Sequence, residues 1–308
     1  MKELIDISTY PVKDVLSILL LDQTTKKNII WATDAYASLG LGYDDKNIIT
    51  QELLVGEFIL QPRISKSLEE QLERTRKKAE VMTPVWLCNK MNNYADEQWF
   101  NRNNVFNREN EDHSWDVVTE PVGFGKKSWK KYVDSRRLEI TCGEAPYLIS
   151  RYDTTTGELI YPLKKRVGML DRKLRIVNEN TIDEESWIKW AERAVQSCYG
   201  YEYQGDNLLI GRINVLLTYR EYYVERWKKE PDITLLKKIA TIISWNIWQM
   251  DGLKDTVPLG KLYEEFHQVN LFEYLGLEET EEEALPCKIR NWRSKTTMYF
   301  KDCKEGNK

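Results

Sequence analysis

Residues 138–148 read LEITCGEAPYL. An acid and a β-branched pair run into Cys142 and Gly143, and the chain then turns on Ala145 and Pro146. This pattern predicts a short strand over 138–141 that stops at the glycine. A strand ending in an acid, then a glycine turn, then a helix is how α/β folds present a ligand at the carboxyl ends of their strands. Glu139 is placed to hold an ammonium group, and Gly143, with no Cβ, lets the backbone come close. Ala145 and Pro146 stiffen the turn. The stretch is not a P-loop, since GxxxxGK[ST] occurs nowhere in the chain.

Two further segments flank it. In AEVMTPVWLCNKM (79–91), Thr83 and Pro84 open a predicted helix, the threonine as cap and the proline in the first turn. Free amides at such a helix start suit a carboxylate. In YGYEYQGDNLLIGRINVLL (199–217), an apolar strand ends in Glu202 and a long helix follows. A carboxylate at that strand tip is where a ribose diol is gripped in α/β folds. Taken singly, each segment also reads as ordinary structure: a capped helix, a strand end, a surface glutamate.

In this order and spacing the three segments resemble the cofactor-binding half of adenine-specific DNA methyltransferases, the modification (M) subunits of restriction–modification systems. The family's Thr-Pro helix start, with a methionine seven residues on, is matched by Thr83-Pro84 and Met91. Its Asp-Pro-Ala-Cys-Gly-x-Gly-x-Phe-Leu loop aligns without a gap on residues 139–148, with Glu139 for the aspartate, Cys142-Gly143 kept, and Tyr147-Leu148 for Phe-Leu. Its Tyr-Gly-x-Glu/Asp strand matches Tyr199-Gly200-Tyr201-Glu202, and its Gly-Asp-x-Leu turn resembles Met250-Asp251-Gly252-Leu253. The resemblance implies an α/β fold: a Rossmann-like, SAM-dependent methyltransferase three-layer sandwich, incomplete at its C-terminal side. It implies a mainly parallel sheet with helices on both faces and S-adenosylmethionine (SAM) or S-adenosylhomocysteine as cofactor. Thr83, Pro84, Glu139, Cys142, Gly143, Glu144, Glu202 and Asp251 are the cofactor-binding residues so implied. The expected division is an N-terminal extension over 1–65, the methyltransferase-like domain over 66–260 and a C-terminal segment over 261–308. From Gly143 to Glu202 is 59 positions, more than one strand–helix–strand step needs, so an insertion is expected at about 150–185.

Composition agrees with a globular protein: 308 residues, 42% hydrophobic and 31% charged. A net charge of −4 argues against a wholesale polyanion binder and leaves DNA contact to local basic patches. The nearer patch is Arg74, Arg76, Lys77 and Lys78, on a predicted exposed helix over 66–80, with Lys126, Lys127, Lys130 and Lys131 as a second. Solvated helix faces account for both equally well. Five scattered cysteines with no CxxC, and two histidines, exclude a zinc finger or a disulfide framework. No metal is expected. The N-terminus has early acids and no apolar core of a signal peptide, and no run approaches a membrane span, so the expected location is cytoplasmic. Elsewhere the periodicity predicts a helix over 184–197, an amphipathic helix over 206–228 and another at the start of 233–250, a hairpin in 149–163, a strand-like Ile29–Trp31 stretch and a solvated acidic loop over 278–284.

One family feature is missing. Members flip the target adenine out and hold its amine on an Asn/Asp-Pro-Pro-Tyr/Phe turn. None of the nine prolines here has a proline neighbour, so no such turn exists in these residues and no catalytic residue is assigned. Three functions follow. The chain is a SAM-binding component of a DNA adenine methyltransferase, of restriction–modification or phage type, whose partner polypeptide carries the catalytic and target-recognition regions. Or it is a non-catalytic SAM-fold binding or interaction protein in a phage or defence setting. A small-molecule methyltransferase is the third, and no residue pattern favours it. The first expects an exposed apolar edge on the sheet, and the second expects 285–303 to cover that edge.

Overall fold

A computed structural model of the chain describes residues 4–55, 60–78, 80–259 and 284–304. In chain order the elements are α1 (Val12–Leu20), α2 (Leu68–Lys78), α3 (Val85–Phe100), a small pair β1 (Asn107–Glu109) and β2 (Trp115–Val117), and α4 (Trp129–Val133). Then come β3 (Arg137–Glu139), α5 (Met169–Asn180), α6 (Glu184–Gln196), β4 (Cys198–Glu202), α7 (Gly205–Trp227), α8 (Ile233–Asn246) and β5 (Ile247–Gln249). A hairpin β6 (Lys288–Asn291) and β7 (Thr296–Tyr299) leads into α9 (Phe300–Lys304). The chain is a mixed α/β protein.

The central sheet is parallel, in the order β3-β4-β5, with Glu139 opposite Gly200 and Glu202 opposite Gln249. Parallel neighbours need long crossovers; α5 and α6 make the first and α7 and α8 the second. Because the strands run the same way, Glu139 and Glu202 lie at one end of the sheet, as the sequence predicts. The two faces are covered differently. Cys198 and Ile247 face the large core built from α1 and α5 to α8. Tyr199, Tyr201, Trp248 and Met250 face the other way and pack on Cys287 and Phe300, so a hairpin and one short helix stand where helices were expected.

Local chemistry explains the helices. α1 buries Val12, Val15, Leu16, Leu19 and Leu20, an i, i+3, i+4, i+7, i+8 stripe. α6 buries Trp187, Ala191 and Ala194, as its spacing predicts, and Asp183 caps it by accepting the Ser186 N–H at 2.8 Å. Asp232 caps α8 on Thr234 N–H at 2.7 Å. Three expectations need correction. No helix follows the Gly143 turn directly, since α5 starts only at Met169. α7 is not amphipathic over its first turns: every residue from Gly205 to Leu216 is buried, Asp206, Asn207, Arg212 and Asn214 included. The 149–163 hairpin reduces to a single bridge, Tyr152 to Leu159.

Within the expected N-terminal extension, Ile5, α1, Trp31, Ile49 and Leu54 belong to the same core as α7 and α8. Ile29–Trp31 forms only an isolated bridge, Ile30 to Ile48. It runs beside β5: Ile30 N–H donates to Gln249 Oε1 at 3.0 Å and Gln249 Nε2 donates to Ile30 O at 2.8 Å. Gly205 is fixed by this approach, since a Cβ there would lie 2.0 Å from Ile30 O. The opposite edge, β3, has no strand beside it among the described residues. Leu138 and Ile140 there are 44% and 63% exposed. Of the acidic loop, residues 278–283 lie outside the described residues.

Candidate functional site

The carboxyl ends of the three strands carry a cluster of buried acids. After Glu139 the backbone takes left-handed φ at Thr141 (44°), Gly143 (52°) and Ala145 (66°), so the turn doubles back under its own strand tip. Only the glycine does so without steric cost. Cys142 N–H donates to Tyr201 O at 2.8 Å, which continues the sheet, and Gly143 N–H donates to Glu202 Oε2 at 2.8 Å. The other oxygen of Glu202 accepts the Gln204 N–H at 3.1 Å. Asp251 follows Met250, whose N–H donates to Glu202 O at 3.0 Å. Glu139, Cys142, Gly143, Glu202 and the start of the Asp251 turn are thus one contiguous patch.

Within that patch the expected ligand groups are mostly engaged by the chain itself. Glu139 is buried and accepts the N–H groups of Tyr147 (3.1 Å) and Leu148 (2.9 Å), closing its own turn. Burial pushes its carboxyl up to about 8, against the two amide bonds. It is therefore a turn-closing group, not a free anion for an ammonium ion. Glu144 accepts Arg63 N–H at 2.7 Å and Tyr152 Oη at 2.5 Å, and burial raises it too. Asp251 accepts Leu253 N–H at 3.0 Å and Lys254 N–H at 3.3 Å. Burial also raises Glu202, against the backbone amides of Gln204 and Gly143 that its oxygens accept.

Thr83 does not cap α3. Pro84 occupies the N-cap position, φ −62° and ψ 146°, and the first amide, Val85, is taken by Asp153 Oδ2 at 3.1 Å. Thr83 O accepts Thr154 Oγ1 at 2.9 Å. This helix start is tied to the 153–157 turn and is not open to an anion. Its neighbour Met82 reaches the site: its Sδ lies 3.8 Å from where a Cβ on Gly143 would be.

The structure adds a group of residues that sequence reasoning missed. Asp206, fully buried in the first turn of α7, pairs with Lys66 at 3.0 Å and Arg74 at 3.0 Å, and accepts Tyr36 Oη at 2.7 Å. Burial alone would raise Asp206, but the two cations hold its carboxyl far below the usual range. Arg74 also pairs with Glu80 at 2.7 Å and donates to Gln204 Oε1 at 3.0 Å. Glu80 in turn pairs with Arg63 at 3.1 Å and accepts Asn207 Nδ2 at 2.9 Å. The one signal in the sequence was polar Asp206, Asn207, Arg212 and Asn214 scattered through an apolar helix with no polar face of its own.

This corrects the DNA expectation for Arg74, which is 4% exposed and doubly paired, a structural group with no face toward a phosphate. Arg76 and Lys77 are exposed, Lys77 pairing with Glu73 at 2.6 Å; the Lys78 side chain lies outside the described ones. Lys126, Lys127, Lys130 and Lys131 are exposed, with Lys127 over the Trp99 ring and Lys130 over Trp129 and Trp190. Among the described residues no three His, Cys, Asp or Glu side chains are grouped to hold a metal ion, and no helix is long and apolar enough to cross a membrane. Compared with protein-family models, curated proteins and solved structures, the chain matches none.

Proposed function

We propose that the chain is a SAM-binding component of a DNA adenine methyltransferase that works with a second polypeptide carrying the catalytic turn. The observation that carries this reading is the parallel order β3-β4-β5 with Gly143 N–H on Glu202. That order sets a glycine turn from the first strand against the acid of the second, as a nucleoside site at strand ends requires. The residues fit the cofactor in part. Glu202 and Gly143 would hold the ribose and let the backbone approach, and Asp251 stands at the next strand tip. Glu139 and Thr83 are taken. SAM supplies a methyl on a sulfonium; this chain's residues bind and orient it and carry no acceptor pair for an adenine amine.

The proposed partner has a place to dock at the β3 edge, which no described strand pairs with. Residues 284–304 cover the Tyr199–Trp248 side of the sheet and leave Leu138 and Ile140 in water. That exposure favours a two-chain enzyme over a self-contained binding protein.

Calorimetry with SAM tests the cofactor. Binding is expected, and Glu202→Ala should weaken it by about 1.5–3 kcal/mol, the loss of a charged hydrogen bond. Transfer of labelled methyl to mixed-sequence duplex DNA tests the activity. We expect none from this chain alone and restoration by a polypeptide bearing the Asn-Pro-Pro-Tyr turn, because positioning carries much of the rate in transfer reactions. Robust methylation by the purified chain would refute the assignment, and no heat at millimolar SAM would leave an interaction protein.

A further inference from the structure

α2 is docked the wrong way round for an amphipathic helix. Lys66, just before it, and Arg74, on its inner side, are 9% and 4% exposed, whereas Leu68 and Leu72 are 72% and 50% exposed. No apolar side chain of α2 belongs to the core. A surface helix ordinarily buries its apolar stripe and leaves its charges in water. Here the attachment consists of ion pairs and hydrogen bonds: Lys66 and Arg74 on Asp206, Arg74 on Glu80 and Gln204, and Arg63 on Glu80.

This segment borders the Gly143–Glu202 patch through the immediate neighbours of both residues. Arg63, in the turn before α2, donates its N–H to Glu144, next to Gly143. Gln204, gripped by Arg74, donates its N–H to Glu202. Met82, beyond the helix, lies over Gly143. Detaching residues 63–78 would therefore free Glu144 and Gln204, the neighbours of Gly143 and Glu202, while moving little leucine surface into water, since Leu68 and Leu72 are already 72% and 50% exposed. A unit with few apolar contacts opens at lower free energy than the core around it.

We propose that residues 63–78 form a lid over the Gly143–Glu202 patch, latched by Asp206 and Glu80, and that its opening admits the adenosine-class ligand. The ligand class rests on the SAM reading above; the lid does not. Removing one member of a buried ion cluster leaves its partners uncompensated, so the latch is sensitive to single changes.

Hydrogen exchange on the full chain without ligand tests this, comparing the wild type with Asp206→Asn and Glu80→Gln. The amides of α2 and of Gly143 should exchange about tenfold faster or more in the variants, as loss of a charged hydrogen bond implies. Those of α5, α6 and α8 should be unchanged. Should Asp206→Asn unfold the protein, Glu80→Gln decides alone. The lid is overturned if α2 in the wild type exchanges only at the rate of α5, α6 and α8, or if α2 loosens and Gly143 does not. A second arm adds SAM at millimolar concentration, with faster association in Glu80→Gln expected. Lid opening together with no response to SAM in any variant would sink the cofactor assignment and leave the lid standing.

Discussion

At Glu139 a carboxyl group sits in the protein with two amide donors and, among the described residues, no cation paired with it. Its folded pKa of about 8 lies above the ordinary 4.5, so between these values the folded chain holds a proton that the unfolded chain has released. The folded state binds more protons, and stability contributed by Glu139 falls as pH rises through that window and levels off above it. Asp206 acts in the opposite sense, but only below its ordinary 3.8. We therefore expect the melting temperature of the wild type to drop more between about pH 5 and about pH 8 than that of Glu139→Gln, which carries no such proton. Calorimetric melts at the two pH values check it, and parallel curves would refute it. The sequence placed this residue correctly at a strand tip and misjudged its role. Position follows from strand pattern, whereas the partners Tyr147 and Leu148 depend on left-handed turns at Thr141 and Ala145 that their side chains do not announce.

At the scale of elements, the places of α6 and α7 were legible in the sequence, whereas the all-round burial of α7 was not. α6 could be read because its apolar spacing alone sets the buried face. α6 also carries its start signal in Asp183, and Asp183→Ala should cost about 1 kcal/mol in urea unfolding by losing the bond to Ser186. An unchanged midpoint would mean that the cap is idle. Periodicity located α7 but not its burial, because the helix lies against the sheet on one side and under the N-terminal segment and the lid on the other. The end of α8 was ambiguous for a related reason: β5 begins at once, with no glycine or proline between. The boundary is set by Asn246, whose Nδ2 donates to Val195 O at 3.0 Å and Cys198 O at 2.9 Å. Such long-range bonds leave no local trace in sequence.

For the whole molecule, the two edges of the sheet differ in kind. The β5 edge is closed by the Ile30 stretch and by Cys287, whose thiol donates to Gln249 O at 3.4 Å. The β3 edge has no strand beside it among the described residues, and Leu138 and Ile140 there are 44% and 63% exposed. A substitution at an exposed edge with no buried partner should leave stability within about 0.5 kcal/mol. Ile140→Lys is expected to do so in chemical denaturation, while preventing assembly with a polypeptide that extends the sheet there. A loss of several kcal/mol would show that Ile140 is packed after all.

The cysteines supply a clock for these motions. Cys88, Cys142, Cys198 and Cys287 are at most 3% exposed, and Cys303 alone is on the surface. They are dispersed in α3, in the glycine turn, on the middle strand and at the start of the hairpin. A coloured thiol reagent should accordingly consume one equivalent at once and four slowly. The order in which the four appear would tell which part of the protein lets go first, and denaturant should release all five together.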